Sequence, residues 1–329
     1  MLTHLRRVAA LAALTLAAAA AQAECDALFP DFSCERSGRF EGFEMPIVQP
    51  YLFEDPFITT GVSPYYVWHQ FPKGSPLEGG EAHVLAAQLR IAVTDRFAII
   101  ATKDGYMWSN PGNPLLEETG GFMNLGFGVK YALFQDRDAG RIVSLALRYE
   151  APSGNDDVFQ GEGDGLLMPS ITGAARFGDI AVQGDLGGIW AIDDSQSSSI
   201  TYHLYFAYPI GDRLTPFLQF SGMHWVDSGD GTQEIELSEL GESPPPTGLG
   251  VPAVPIGAVE ALYGQRFEGA DVVNLGAVGV DGLDYVTVAL GMHVRVTDRL
   301  TVSAAWERPV TEHKSITSDR ITTNATFEF

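Results

Sequence analysis

The spacing of its turns constrains the fold of this chain more than any other feature. From residue 59 onward, alternating segments are separated by connections that are alternately short and long. The short ones carry Asp, Gly and Arg, and the long ones are polar and acidic. A soluble sandwich has no reason to keep this parity, whereas membrane barrels have short periplasmic turns, long extracellular loops and an even strand count. The sequence predicts an all-β fold, a 12-stranded antiparallel transmembrane β-barrel.

Each predicted strand has one apolar and one polar face. Phe127 and Val129, for example, alternate with Gly128 and Lys130, and successive side chains of a strand point to opposite faces. A charge at the lipid midplane costs about 2–4 kcal/mol, so the polar face is predicted to line the lumen. The predicted strands are residues 59–71, 82–93, 97–108, 122–134, 141–151, 166–177, 180–192, 199–210, 214–226, 283–296, 300–310 and 321–329.

The inner face of the predicted barrel carries charges of both signs. We expect these charges to pair with each other along the wall and keep the lumen hydrated; the alternative is a charge ladder that orients a polar solute. Recurrent small residues on this face leave room for a water-filled path or an inserted plug. The candidate lumen-lining residues are Arg90, Lys130, Arg148, Glu150, Arg176, Asp185, His203, His293, Arg295, Glu307 and Glu328.

Aromatic residues cluster near the predicted strand ends. They fit two interfacial girdles, because amphipathic rings prefer the level of the lipid headgroups. The girdle candidates are Tyr65, Tyr66, Trp68, Tyr106, Trp108, Tyr131, Phe134, Tyr149, Phe177, Trp190, Tyr208, Trp225 and Trp306.

The last nine residues, 321–329, form an alternating strand that stops on Phe329. Bacterial outer-membrane barrels end in a similar aromatic-terminated strand. We therefore expect Phe329 at the periplasmic rim as a signal for the barrel assembly machinery. Strand 321–329 is also predicted to close the barrel by pairing with strand 59–71.

The N-terminal region divides into two parts. Residues 1–23 have basic residues, a short apolar run and an A-x-A site, which is typical of a secretory signal peptide. Residues 24–58 do not alternate and are predicted to be an irregular periplasmic extension or a partial plug of the barrel, residues 59–329. Cys25 and Cys34 are close in an exported chain, which favours a disulfide.

The charge balance restricts the partners. With 42 acidic and 20 basic residues, the chain lacks the basic surface that nucleic-acid binding needs. The predicted partners are outer-membrane lipid, lipopolysaccharide and a small-molecule solute, with no nucleic acid and no cofactor. The acidic loop 152–165 is predicted to be solvated, with Ca²⁺ as the weaker alternative, and no metal site is predicted.

Catalysis is not predicted. His83, His224, His293 and His313 have no serine beside them in a recognisable nucleophile setting. The loop 227–282 is long enough to have a function, and we expect it to fold over or into the barrel mouth as a lid. Residues 272–280 are predicted to extend the tenth strand.

A resemblance to a known family involves the middle of the chain. Residues 151–155 (APSGN), the glycines of 161–165, residues 169–173 (PSITG) and the glycines at 187 and 188 resemble the phenol-degradation meta-pathway family of outer-membrane barrels. That family has a Pro-Thr-Gly-like corner, and Ser153 stands at its middle position here. The resemblance implies a transporter of small hydrophobic or aromatic compounds in a Gram-negative outer membrane.

Together these features predict an outer-membrane channel for the passive uptake of small molecules. The alternative is a structural or adhesive surface barrel with a closed lumen, whose outer loops bind a ligand.

Overall fold

The structure is a computed structural model that describes residues 37–236, 253–312 and 315–329. The predicted signal peptide, Cys25, Cys34 and His313 lie outside these ranges. The strands are β1 Gly61–Gln70, β2 Gly80–Ala92, β3 Phe97–Lys103, β4 Tyr106–Pro111, β5 Thr119–Phe122, β6 Leu125–Asp136, β7 Arg141–Ala151, β8 Leu166–Phe177, β9 Ile180–Ala191, β10 Ser198–Ala207, β11 Leu214–Asp227, β12 Glu234–Glu236, β13 Ala253–Pro255, β14 Asp284–Arg295, β15 Leu300–Pro309 and β16 Asp319–Glu328. An α-helix, α1, spans Ile256–Tyr263.

All of these strands except β12 and β13 form the closed barrel of twelve antiparallel strands that the sequence predicts. β3 and β4 pair with successive halves of β2 and act as one barrel strand. β5 and β6 continue one another in the same way, against β4 and β3. The break between β3 and β4 falls at Asp104 and Gly105, where the Asp104 carboxylate accepts a hydrogen bond from the Ala87 N–H at 2.7 Å. β12 and β13 form a separate hairpin.

The barrel closes through its first and last strands. β1 pairs antiparallel with β16, with Trp68 opposite Ile321, and its other edge pairs with β2. The predicted pairing of the closing strand is therefore confirmed. Phe329 follows β16 and donates its N–H to the Thr60 carbonyl at 3.0 Å, so no strand edge is left open at this seam.

The two faces of the wall follow the predicted alternation. Leu125, Phe127 and Val129 are exposed on the outside of β6, while Lys130 is fully buried inside. Tyr65 and Trp225, predicted in the girdles, are instead 2% and 1% exposed. They share the inward positions of their strands, because nearness to a strand end does not determine which face a residue takes.

The two ends of the barrel differ. At the end that carries the short connections, called the turn end, the chain reverses at residues 93–96, 137–140, 178–179, 208–213 and 296–299. The opposite end, called the loop end, carries the long connections. The predicted extension of the tenth strand over 272–280 is wrong, since this stretch has no strand. Its backbone is held by side-chain acceptors within the loop instead.

Two chain segments lie against the inside of the barrel. Residues 37–58, called the inner segment, are largely buried and join a cluster with inward alanines of the wall near the turn end. The described part of residues 228–283, called the outer loop, packs with α1 into a second cluster near the loop end. Tyr51 and Leu52 of the inner segment belong to the second cluster. Within the described ranges, no helix has the length and apolarity needed to cross a membrane.

Candidate functional site

The predicted lumen-lining residues occupy the interior of the barrel and its turn-end rim. Because their positions share the inward parity of their strands, most are almost fully buried. Those in the interior are Arg90, Lys130, Arg148, Glu150, Asp185, His203, His293 and Glu307. Arg176, Arg295 and Glu328 lie at the turn end and are more exposed.

A pair of carboxylates on the inner segment binds the buried cations of the wall. Arg90 holds Glu54 with two hydrogen bonds of 3.0 and 2.7 Å. Lys130 reaches both Glu54 and Asp55, at 2.7 and 3.2 Å. Arg39, on the inner segment itself, completes the cluster at 2.8 Å from Asp55. The expectation that wall charges pair chiefly with one another is therefore wrong for these cations, because the inner segment brings its own carboxylates into the lumen.

Other wall side chains bind the main chain of the inner segment. Arg148 donates to the carbonyls of Tyr51 and Leu52. Gln219 donates to the Val48 carbonyl at 3.0 Å and Gln88 to the Pro50 carbonyl at 2.7 Å. A buried irregular segment needs such donors, because its carbonyls have no ladder partners. The polar wall and the inner segment are thus complementary.

The apolar side chains of the inner segment fill the space above small wall residues. Phe40 and Phe57 pack edge to face at 5.2 Å between centroids, and Phe53 stacks on His203 at 5.0 Å. Inward alanines of the wall such as Ala132 lie in the same cluster. Each buried Phe contributes about 1.5–3 kcal/mol of transfer free energy, so both polar and apolar contacts hold the segment.

A continuous polar connection joins the outer loop to the inner segment. Asp271 of the outer loop accepts hydrogen bonds of 2.6 and 2.9 Å from Arg320 on β16. Arg320 also reaches Glu307 on β15, at 3.3 Å. The other oxygen of Glu307 accepts a 2.6 Å hydrogen bond from Gln49 of the inner segment. A displacement of either segment therefore changes the contacts of the other.

A second connection crosses the opposite wall. The Tyr51 hydroxyl donates to Glu150, and Glu150 accepts hydrogen bonds from Lys103 at 2.6 Å and Asn124 at 2.7 Å. The Asn124 N–H donates to Gln160 of the neighbouring loop at 3.1 Å. The Gln160 amide donates in turn to the Val272 carbonyl of the outer loop at 3.3 Å.

Two carboxylates organise the outer loop from within. Glu268 is 1% exposed and accepts the N–H groups of Gly269, Leu275 and Ala277. Glu260 on α1 accepts the N–H groups of Phe267 and Val278. Burial raises the pKa of both carboxyls, and the N–H donors oppose that shift.

One serine–histidine contact lies in the interior of the barrel. His293 Nδ1 lies 2.7 Å from the Ser303 hydroxyl on the adjacent strand, and Tyr205 holds Nε2 at 2.8 Å. The sequence does not reveal this contact, because the two residues meet only through strand register. A tyrosine hydroxyl, and not a carboxylate, orients this imidazole. Among the described residues, no group of three or more His, Cys, Asp or Glu could hold a metal ion.

Several residues of these networks are not among the predicted lumen-lining residues. Arg320 lies one residue before the predicted closing strand, on the parity of Thr322 and Asn324, so extending the alternation backward would have found it. Glu54 and Asp55 are adjacent carboxylates in an apolar stretch, which is a signal for buried ion pairs. No sequence pattern indicated a role for Asp271, since it lies in an irregular loop.

Comparisons with known proteins agree with this architecture. A crystal structure of an outer-membrane channel from Pseudomonas putida F1 is similar, with 13% identity, 83% of this chain and 96% of that chain covered, and a TM-score of 0.53. A KdgM porin (10% identity, 81% and 99% covered, TM-score 0.41) and the β-domain of the Bordetella autotransporter Brka (12% identity, 82% and 100% covered, TM-score 0.45) are more distant. No family model and no curated protein matches the sequence. The chain therefore has the fold of an outer-membrane β-barrel.

Proposed function

We propose that this protein is an outer-membrane channel for the passive uptake of small molecules, seen in a closed state. Its loop end faces the cell exterior, its apolar belt contacts lipid, and its loops meet lipopolysaccharide. The inner segment acts as a plug and the outer loop as a lid. The observation that carries the proposal is the polar inner wall, whose donors bind a separate and irregular segment of the chain.

The width of the barrel supports this proposal. Barrels of about eight strands are just wide enough to be filled by their own side chains, whereas this one has twelve strands and closes around the inner segment. Donors such as Arg148, Gln88 and Gln219 now bind carbonyls of that segment. If the segment moves, water can satisfy the same donors, so the wall suits an aqueous path as well as a plug.

The link between lid and plug gives the channel a route to opening. Asp271, Arg320, Glu307 and Gln49 connect the two segments through hydrogen bonds. A solute that displaces the outer loop removes Asp271 from Arg320, and Arg320 then competes with Gln49 for Glu307. The resemblance of residues 141–190 to the phenol-degradation meta-pathway family supports hydrophobic or aromatic solutes as cargo.

The filled lumen favours one alternative function. A structural or adhesive barrel has no need to open, and both buried clusters here close the interior. The two functions differ in permeability, since an adhesive barrel stays sealed when the contacts of the inner segment are weakened.

Liposome swelling tests the proposal. Reconstituted wild-type protein is expected to admit small solutes slowly, and a Glu54→Gln/Asp55→Asn variant to admit them faster, with a size limit. The matched control is Glu41→Gln, an exposed residue of the same segment. Swelling that stays at the level of empty liposomes for all three proteins would favour the adhesive barrel.

Export and assembly complete the proposal. Residues 1–23 direct secretion, and Phe329 at the turn-end rim is read by the barrel assembly machinery. Deletion of Phe329 is expected to lower the amount of protein in the outer membrane, measured by membrane fractionation, while Phe329→Tyr retains the aromatic end and assembles. Equal insertion of the deletion variant would contradict this role.

A further inference from the structure

A vestibule of about 830 Å³ opens at the loop end of the barrel. It lies between three chain segments: the connection from β1 to β2, the outer loop after α1, and the stretch before β16. Lys73 and Arg266 line it, together with one carboxylate, Glu312. All three side chains are exposed to solvent.

The cations of the vestibule are unusual for this end of the molecule. The six long connections carry many carboxylates, and their lysine and arginine residues are limited to Lys73, Arg266 and Lys314. Among the described residues, neither Lys73 nor Arg266 has an ion-pair partner within 4.0 Å. In contrast, the buried cations Arg90, Lys130 and Arg320 are all paired.

Two aromatic rings belong to the lining of the vestibule. Phe71 and Phe267 are buried and line the vestibule on one side. The same two rings line a smaller cavity of about 30 Å³ beneath the outer loop, whose walls are almost entirely apolar. His69 lines that cavity, and its ring contacts Arg320, the residue that binds Asp271 of the outer loop. The vestibule thus combines two exposed cations with two largely buried aromatic rings in its lining.

We infer that the vestibule is a capture site for small organic anions that carry an apolar body. The carboxylate of such a molecule meets Lys73 and Arg266, and its apolar part rests on Phe71 and Phe267. Charges beyond about 8 Å are largely screened at physiological salt, so the nearby cations dominate inside the vestibule while the acidic loops repel anions elsewhere. This inference rests on the proposed channel function, because it names the class of solute that enters at the lid.

Charge selectivity at equilibrium tests the inference without requiring transport. Binding of 4-fluorobenzoate, 4-fluorobenzyl alcohol and 4-fluorobenzylamine to the full-length protein in detergent is followed by ¹⁹F NMR. These probes share one ring and differ in charge. We expect benzoate to bind more tightly than the alcohol, and the amine to bind most weakly.

The variants locate the site. Lys73→Gln/Arg266→Gln is expected to weaken benzoate binding roughly tenfold or more, since charge-assisted hydrogen bonds are lost, while leaving the alcohol almost unchanged. The matched control is Arg213→Gln, which removes an exposed arginine at the turn end, and its benzoate affinity should equal that of wild type.

The outcomes separate this inference from the channel proposal. Equal affinity for the three probes, or benzoate binding that survives the double substitution, overturns the capture site even if the protein conducts. Selective benzoate binding that is lost in Lys73→Gln/Arg266→Gln supports the site even if liposome swelling shows no permeation.

Discussion

The inner segment and the outer loop both fill the barrel, but they are held in opposite ways. The carbonyls of the inner segment accept hydrogen bonds from wall side chains such as Gln183 and Ser144, at 2.7 and 2.6 Å. In the outer loop, Glu268 and Glu260 supply acceptors to the loop's own N–H groups. The conformation of the inner segment therefore depends on the wall, whereas the outer loop is organised partly from within.

This difference determines how each segment can move. The inner segment loses most of its polar partners if it leaves the wall, so its release is accompanied by unfolding. The outer loop keeps its internal contacts and can shift as a body, with Asp271 as its ion-pair anchor to Arg320 on the wall.

The largest expected effect comes from the carboxylates of the inner segment. Glu54→Gln/Asp55→Asn leaves Lys130 and Arg90 buried without charge partners, which costs about 3–5 kcal/mol for a broken buried pair. Hydrogen exchange of residues 37–58 should rise strongly, and that of the outer loop should rise less, since Glu268 and Glu260 keep its internal contacts. Glu41→Gln, exposed on the same segment, should leave exchange unaltered. Unchanged protection in the double variant would show that apolar packing alone holds the segment.

Removing the internal acceptor of the outer loop should have the next largest effect. Glu268→Ala leaves the N–H groups of Gly269, Leu275 and Ala277 without their acceptor, at about 1–3 kcal/mol for each unsatisfied group. Limited proteolysis should cleave the outer loop faster, and the inner segment should stay protected. Gln265→Ala, an exposed position of the same loop, provides the control; equal cleavage rates in the two variants would contradict the internal role of Glu268.

The same carboxylates predict a pH dependence. Burial raises the pKa of Glu268 and Glu260, so the folded loop binds protons that the unfolded loop releases. Their contribution is complete below the ordinary glutamate pKa and falls as the pH rises from there through the raised values. Hydrogen exchange of residues 267–278, corrected for its intrinsic rate, should show less protection at neutral than at mildly acidic pH. A Glu268→Ala variant should lose part of that dependence; an opposite slope in the wild type would contradict it.

Breaking the anchor of the outer loop should have a smaller effect. Asp271→Asn weakens the contact with Arg320, which keeps Glu307 as a partner, so we expect a loss of about 1–3 kcal/mol. Combining it with Gln49→Ala in a double-mutant cycle measures the connection between loop and inner segment by their hydrogen exchange. Additive effects would show that the two segments are uncoupled.

The smallest expected effect concerns a single backbone position. Gly42 has a φ of +77°, and the Arg176 guanidinium occupies the space a side chain would need. Gly42→Ala should destabilise the inner segment by about 1 kcal/mol or somewhat more. Gly38 also has a positive φ, but no atom lies within 4 Å of a side chain added there. Gly38→Ala thus separates backbone strain from the clash, and equal effects of the two variants would show that the clash is negligible.

The sequence predicted the wall well because strand alternation is local. The alternation of short and long connections predicted the number of strands. The two-residue period of the strands predicted that Arg90 and Lys130 point inward. The partners of those cations depended on how an irregular segment with no period folds back, and no local pattern encodes that. The prediction that Trp225 and Tyr65 lie in the girdles is wrong for a related reason. It used their position along the strand and not the face of the strand to which they point.

The outer loop was the least predictable region. Its length indicated a lid, but α1 and the acceptor roles of Glu260 and Glu268 depend on contacts between residues distant in the loop. The His293–Ser303 contact likewise arises from the register of β14 and β15, which turn length alone did not specify.

Single-channel recording in planar bilayers tests the central claim most directly, that the inner segment closes a lumen able to conduct. Wild-type protein should show small or infrequent openings, and Glu54→Gln/Asp55→Asn should show larger or longer ones, with Glu41→Gln like wild type. Bilayers that stay silent with the double variant, although hydrogen exchange shows that its inner segment is released, would contradict the claim.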